Sequence, residues 1–250
     1  KRQIQWSLVG TPPQANGNPS EASGISCTTP TFCIAVGRQG WIEQWDGSTW
    51  TVTQQPEGNT ILRGVSCVNA TDCTAVGNSP WGTEALIFHW NGSSWTKMSS
   101  NIAPVYASDL SAAQLSAISC TSASFCMATG YIFGRGRWAT LTELWDGNTW
   151  SVVPSEDLPG LTSFDPVWHR SFSIGPINAL RGVSCKSPVD CTAVGFHANG
   201  LFRPSAVDGT QTLSEHWDGT HWYVVDTPGS GGADGDSLQA VSCATSTDCI

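Results

Sequence analysis

Ten cysteines fall into five pairs, and five residues separate the two members of each: Cys27/Cys33, Cys67/Cys73, Cys120/Cys126, Cys185/Cys191 and Cys243/Cys249. A serine stands immediately before the first cysteine every time. An even count at constant local spacing reads as a disulfide framework, one bridge per repeated unit. Zinc sites place ligands two to four residues apart and gather four of them. Here 40 or more residues separate one first cysteine from the next, so each pair stands alone and no metal is expected. A bridge closing a loop of about seven residues stabilises by about 2 kcal/mol on the loop-entropy estimate. Five such clips imply an oxidising compartment, and the chain is expected to be secreted.

Aligned on the cysteines, the repeat has four blocks. The first runs into Ser-Cys, as Gly24-Ile25-Ser26-Cys27, Gly64-Val65-Ser66-Cys67, Ala117-Ile118-Ser119-Cys120, Gly182-Val183-Ser184-Cys185 and Ala240-Val241-Ser242-Cys243. The second leaves the other cysteine and ends at Gly37, Gly77, Gly130 and Gly195. The third ends in Trp-Asp/Asn-Gly at Trp45, Trp90, Trp145 and Trp217, and the fourth opens five residues later at Trp50, Trp95, Trp150 and Trp222. Each block is short, rich in β-branched and aromatic residues, and bounded by Gly, Pro, Asn or Ser, which are strand signals. Asp-Gly or Asn-Gly between two aromatic strands marks a hairpin. The disulfide staples a second one, joining the end of one strand to the start of the next.

Four antiparallel strands recurring every 40 to 65 residues predict an all-β fold, a β-propeller of about five four-stranded blades with one disulfide in each. The repeats span about 20–56, 60–104, 114–156, 178–228 and 236–250, read as one domain over 1–250. Trp6 and Pro12 repeat the spacing of Trp50/Pro56 and Trp222/Pro228, so 1–12 is expected to be an outer strand that closes the ring. The fifth repeat lacks its Trp-Asp-Gly strand. Either the ring closes on a defective blade or the chain is a piece of a longer protein, and the missing strand favours the second. The chain opens at Lys1 without a charged-then-apolar leader, so a secretion signal is expected to have been removed or left out.

With this pattern of Ser-Cys pairs and Trp-Asp-Gly turns, the chain resembles the cysteine-paired tryptophan repeats of secreted actinobacterial proteins, and its blade logic is similar to WD-type propellers. The resemblance implies secretion and a propeller. It brings no catalytic residues with it.

Net charge is −9 and 12% of residues are charged, which argues against nucleic acid and anionic membrane surfaces as partners. No stretch approaches the 18 apolar residues of a membrane span. In an up-and-down blade the disulfide loop and the Asp-Gly turn share one face, which is constant here. The other face carries connections that vary from 8 residues (Gly37 to Trp45) to 13, 15 and 22 in the next three units. Variable loops on a rigid scaffold are where binding usually sits.

Those loops hold aromatics and cations outside the repeat register. Trp81 lies in one; Tyr131, Phe133, Arg135, Arg137 and Trp138 in the next; Phe196, His197, Phe202 and Arg203 in a third. The insertion before the fourth unit holds Phe164, Asp165, Trp168, His169, Arg170 and Phe172. Aromatic rings beside hydrogen-bonding groups suit sugars, which offer an apolar face and polar edges. The expected ligand-binding set is therefore Trp81, Tyr131, Arg135, Arg137, Trp138, Trp168, His169, Arg170, Phe202 and Arg203. The same aromatics could instead pack their own loops. Trp41 aligns with Leu86, Leu141 and Leu213 and is expected in the core.

Glu43, Glu143 and Glu215 precede the Trp-Asp/Asn-Gly tryptophan by two residues, with Phe88 in the second unit. Paired carboxylates could hydrolyse a glycosidic bond. Repetition at one register position points instead to a scaffold role, because an active site needs unlike carboxylates meeting once. The histidines show no ligand spacing, Asp234-Gly235-Asp236 reads as a turn rather than a calcium loop, and no Gly-x-Ser-x-Gly elbow occurs. No cofactor or catalytic residue is expected. The sequence thus predicts a secreted binding module whose partner is a glycan or cell-surface polysaccharide. A protein-binding adaptor of an extracellular assembly and a propeller glycosidase are the alternatives.

Overall fold

A computed structural model describes residues 21–53, 59–102, 110–134, 137–158, 162–165, 170–173, 177–198, 210–227 and 235–250, with the backbone alone at 137, 162–165 and 170–173. The expected ring-closing strand at 1–12 lies outside the described residues. Unit one is a sheet in the order β1 (Ala22–Thr29), β2 (Phe32–Gly37), β3 (Ile42–Trp45), β4 (Trp50–Val52). Unit two repeats it with β5 (Ile61–Asn69), β6 (Asp72–Asn78), β7 (Ala85–Trp90) and β8 (Trp95–Met98). Unit three is β9 (Leu110–Ser122), β10 (Phe125–Gly134), β11 (Arg137–Trp145) and β12 (Trp150–Val152). A separate hairpin, β13 (Thr162–Asp165) with β14 (Arg170–Ser173), precedes unit four. Unit four is β15 (Ile177–Ser187), β16 (Asp190–Ala198), β17 (Thr210–Trp217) and β18 (Trp222–Val224). Unit five contributes β19 (Cys243–Thr245) and β20 (Asp248–Cys249). Within every unit the strands are antiparallel neighbours, and one parallel bridge, Trp138 to Ile177, links units three and four.

All five disulfides form as the spacing predicts: Cys27–Cys33, Cys67–Cys73, Cys120–Cys126, Cys185–Cys191 and Cys243–Cys249. Each joins residues directly opposite on the first two strands of its unit. In units two to four the second cysteine is a core residue: Cys73 and Cys191 are 0% exposed and Cys126 is 3% exposed. The reason is the position of the second strand, which lies between the first and third and is covered on both faces by the adjacent sheets. Consecutive residues of β6 and β10 are therefore buried, not only alternate ones. Cys73 packs with Leu62 and Phe88, Cys126 with Ile118 and Trp150, and Cys191 with Leu180 and Trp222. These three sulfurs thus fill the core as well as cross-linking the hairpin, and they offer a ligand nothing.

The constant face braces itself. The first tryptophan of each pair donates its indole N–H to a carbonyl of the disulfide loop: Trp45 to Pro30 (3.1 Å), Trp90 to Ala70 (3.1 Å), Trp145 to Ala123 (3.0 Å) and Trp217 to Pro188 (3.0 Å). The two tryptophans of a pair sit opposite each other across the third and fourth strands, with ring centroids 5.5 to 5.8 Å apart. Between them the turn is a four-residue loop. Its Asp or Asn side chain accepts the two N–H groups that follow, as Asp46 does from Ser48 and Thr49 at 2.8 Å each. Its glycine takes positive φ, from 94° to 98°, and packs on the disulfide loop, where Gly47 faces Thr31 and Gly219 faces Val189. Asn69 and Asn91 match glycosylation acceptors in sequence; Asn91 caps this turn in unit two, whereas Asn69 caps the disulfide loop of the same unit.

The serine before each first cysteine has a job that no single unit reveals. Its hydroxyl accepts the backbone N–H of the next unit's first cysteine. Cys67 N–H reaches Ser26 (2.9 Å), Cys120 reaches Ser66 (2.9 Å), Cys185 reaches Ser119 (3.0 Å) and Cys243 reaches Ser184 (3.1 Å). The first strands therefore run side by side, close enough that Gly64 touches the Ala117 backbone and Gly182 the Ala240 backbone. The core lies between adjacent sheets. Ile34, Ile42, Leu62, Val65, Leu86 and Phe88 fill the first interface. Val76, Ile87, Leu115, Ile118, Leu141 and Trp150 fill the second. Met127, Leu180, Val183, Leu213 and Trp222 fill the third. Trp41 is core, as its alignment predicts.

Candidate functional site

The first strands of units one to four share a bulge at the same register position. The ladder skips one residue between Ala22 and Gly24, between Leu62 and Gly64, between Leu115 and Ala117, and between Leu180 and Gly182. Opposite every bulge stands the glycine that ends the second block. A Cβ there would lie 2.1 Å from Glu21 O at Gly37, 2.0 Å from Ile61 O at Gly77, and 1.9 Å from Gln114 O or Ala179 O at Gly130 and Gly195. No side chain fits, so the glycine is dictated by the bulge. The residues left out of the ladder are Ser23, Arg63, Ser116 and Arg181. All four lie in the first strand of their unit, four residues before its first cysteine and away from the disulfide loop.

The residue after that glycine lies beside its own unit's bulge. Arg63 Nε donates to Asn78 Oδ1 at 2.9 Å, and the Arg181 guanidinium stands 5.3 Å from the Phe196 ring centroid. In unit three, Tyr131 donates to Gln114 Oε1 at 3.2 Å, and Gln114 in turn donates to Ser116 at 3.2 Å. Unit one contributes Arg38, exposed and 3.6 Å from Glu21. Burial holds Arg63 below its usual pKa, Tyr131 opposes that, and the positive charges of Arg181 and Arg38 add to it. The fields of units one, three and four thus meet at one arginine of unit two.

Beside these bulges stands an aromatic platform. Tyr131, Phe133 and Trp138 do not lie in a loop, as the sequence reading expects. They belong to β10 and β11, which continue past the blade as a paired ribbon up to Gly134 and Arg137. The reason is period-two patterning: Tyr131 and Phe133 alternate on one strand, and Trp138 pairs with Phe133 on the other. The Trp138 ring packs at a tilt against both, with centroids 4.6 Å from Tyr131 and 5.4 Å from Phe133. The loop of Trp81 is tied to this ribbon by the Ala113 N–H, which donates to Gly82 O at 2.9 Å. Trp81 itself is 88% exposed, the largest exposed ring among the described residues.

The expected ligand set is thus brought together in part. Trp81, Tyr131 and Trp138 share one edge of units two and three. Arg137 and Arg170 lie in β11 and β14, where the backbone alone is described, and the insertion around Arg170 is a hairpin rather than a loop. Arg135, Trp168, His169, Phe202 and Arg203 lie outside the described residues. Phe196 and His197 belong to β16, not to a loop, and His197 is buried on Asn178 at 3.0 Å. Sequence reasoning missed Arg63, Arg181 and Gln114. The available signal was a single variable column, two residues upstream of a constant one, inside an otherwise constant block: Ser23, Arg63, Ser116, Arg181 and Gln239, each three residues before the Ser of Ser-Cys.

The repeated glutamates are structural. Each is fully buried in the third strand of a different unit. Trp41 donates to Glu43 at 3.2 Å; Ser100, leaving unit two, donates to Glu143 of unit three at 2.9 Å; Ser155, leaving unit three, donates to Glu215 of unit four. Burial raises all three carboxyls, Glu143 to about 7 and Glu215 to about 8. Asp157 and Glu156 raise Glu215 further. His89 and His216 face Asp72 and Asp190 of their own units at 3.1 and 3.9 Å, a repeated pairing and again a scaffold feature.

No known family model matches this sequence, and no curated protein does. Solved structures resemble it in fold. A structure of YCF48 bound to a D1 peptide matches at 12% identity with a TM-score of 0.50, over 89% of this chain and 57% of that one. U3-55K matches at 10% identity and 0.51, over 94% and 73%. The fucose-recognising lectin of Aleuria aurantia, a six-bladed β-propeller, matches at 14% and 0.50, over 88% and 66%. The chain thus spans less than two thirds of the YCF48 structure it matches. At these identities the likeness carries the fold: four-stranded antiparallel sheets arranged as in β-propeller proteins.

Proposed function

We propose that this protein is a secreted, carbohydrate-binding β-propeller module whose ligand lies on the face opposite the disulfides. The observation that supports it most is the Tyr131–Trp138 platform beside the Gln114 carboxamide and next to the exposed Trp81. A cluster of partly exposed aromatic rings held by a polar network matches the apolar faces and hydroxyl edges of a sugar. Five disulfides support an oxidising, extracellular setting. Residues 1–250 are read as one propeller domain of about five blades, with 1–12 supplying the outer strand that closes it. The insertion residues Trp168, His169 and Arg170, together with Arg135, Arg137, Phe202 and Arg203, are assigned to the rim of the same face.

A glycan-array screen with the unaltered protein and with Trp81→Ala, Trp138→Ala and Trp168→Ala tests the assignment. Binding to a defined glycan class, weakened tenfold or more by Trp138→Ala, is the expected result. Absence of glycan binding, or binding indifferent to all three changes, overturns it. Capture of a secreted protein through the same tryptophans would favour an adaptor instead.

A further inference from the structure

The arginines at the bulges are placed where an unpaired charge is costly. Arg63 and Arg181 are half-buried, and among the described residues neither has a carboxylate within ion-pair distance. Arg181 Nε is buried with no hydrogen-bond partner. Acidic side chains are not scarce, since the chain has 20 against 11 basic ones. They pair with exposed cations, as Glu21 does with Arg38 and Glu84 with Lys97. Surface pairs of that kind contribute little, whereas a buried guanidinium without a counter-charge carries an uncompensated desolvation cost. Two like charges stand at the same bulge position of units two and four, with Ser116 at that position of unit three between them, and the charge of Arg181 acts on Arg63.

We propose that this cluster of bulge side chains is a carboxylate site for an acidic sugar. A uronate carboxylate would sit between the Arg63 and Arg181 guanidiniums, while its ring lies towards the Tyr131–Trp138 platform. A guanidinium's planar fork matches a carboxylate bidentately, and an arriving anion supplies the counter-charge that the described residues do not. Sugar is favoured over an acidic peptide because Tyr131 of the aromatic platform acts on Arg63 and is linked through Gln114 to Ser116 of the same bulge column. This inference rests on the glycan reading and adds a charge requirement to it.

The test is calorimetric titration of the whole chain with tetragalacturonate, a neutral tetrasaccharide of matched length and hexaglutamate, repeated on Arg63→Gln, Arg181→Gln and Trp138→Ala. Tetragalacturonate should bind and weaken at least tenfold in each arginine variant and in Trp138→Ala. Raising salt from about 50 to about 300 mM should weaken the unaltered protein more than the arginine variants. Without ligand, both arginine variants should melt no lower than the parent, which separates loss of binding from loss of fold. Tetragalacturonate binding that ignores both arginine changes overturns the proposal, as does its absence. If the neutral sugar still binds through Trp138, the glycan reading survives that failure. Arginine-dependent binding of hexaglutamate alone overturns the sugar assignment.

Discussion

The buried glutamates make stability fall as pH rises, the reverse of what an acidic protein held by exposed carboxylates does. Glu215 is protonated in the folded protein up to about pH 8, whereas the unfolded chain releases that proton near 4.5. A folded-state pKa above the unfolded one means stability is complete below 4.5 and is lost progressively as pH climbs to about 8. A gap of about 3.5 pH units at about 1.4 kcal/mol each gives a loss on the order of 5 kcal/mol for Glu215. Glu143, raised to about 7, adds on the order of 3 kcal/mol by the same reckoning. Glu215→Gln keeps the shape and an acceptor for Ser155 but has no proton to lose. Urea unfolding with the disulfides intact, at pH 5, 6.5 and 8, should show the parent weakening steeply across the series. The Glu215→Gln protein should weaken less, so that it gains several kcal/mol on the parent between pH 5 and 8, roughly 10 °C in melting temperature for a chain of this size. Parallel pH profiles for the two proteins would refute the reasoning. The Asp46, Asp146 and Asp218 turn carboxylates run the other way, held low by their turn N–H and hydroxyl bonds, and steepen the loss of stability in strong acid.

Two further substitutions probe the scaffold. Ser184→Ala removes the acceptor for Cys243 N–H and should cost about 1–2 kcal/mol; hydrogen exchange should show residues 243–250 losing protection before units one to three. Gly195→Ala would drive a Cβ to 1.9 Å from Ala179 O and should cost about 3 kcal/mol or more. Gly82→Ala, with open space around it and a φ of +70°, should cost only about 1 kcal/mol. Equal melting temperatures for the two glycine variants would contradict the bulge account.

The repeat was legible because its constraints are local. Spacing alone pairs Cys27 with Cys33, and Trp45-Asp46-Gly47 announces a hairpin whatever surrounds it. That Cys73, Cys126 and Cys191 are buried was not legible, because their cover comes from the neighbouring sheets and not from their own hairpin. Nor was the partner of Ser26, whose hydrogen bond goes to Cys67 in the next unit, 41 residues on. Gly37, Gly77, Gly130 and Gly195 read as strand ends, yet each is fixed by a bulge on the neighbouring strand, which sequence periodicity does not display. Trp138 was expected in a loop. Pairing with Phe133 across an extended ribbon turned that loop into strand. Arg63 and Arg181 escaped notice because they sit inside the constant block, where attention goes to what repeats. Their chemistry lies in what varies at that column.

The face assignment is tested most directly by hydrogen–deuterium exchange of the chain with and without its bound glycan. Protection should rise at 79–84, 110–116 and 131–134, the Trp81 loop and the ribbon around Gln114 and Tyr131. Protection confined to the disulfide loops and Asp-Gly turns, at 69–72, 91–94 and 146–149, would place the ligand on the constant face and contradict the account.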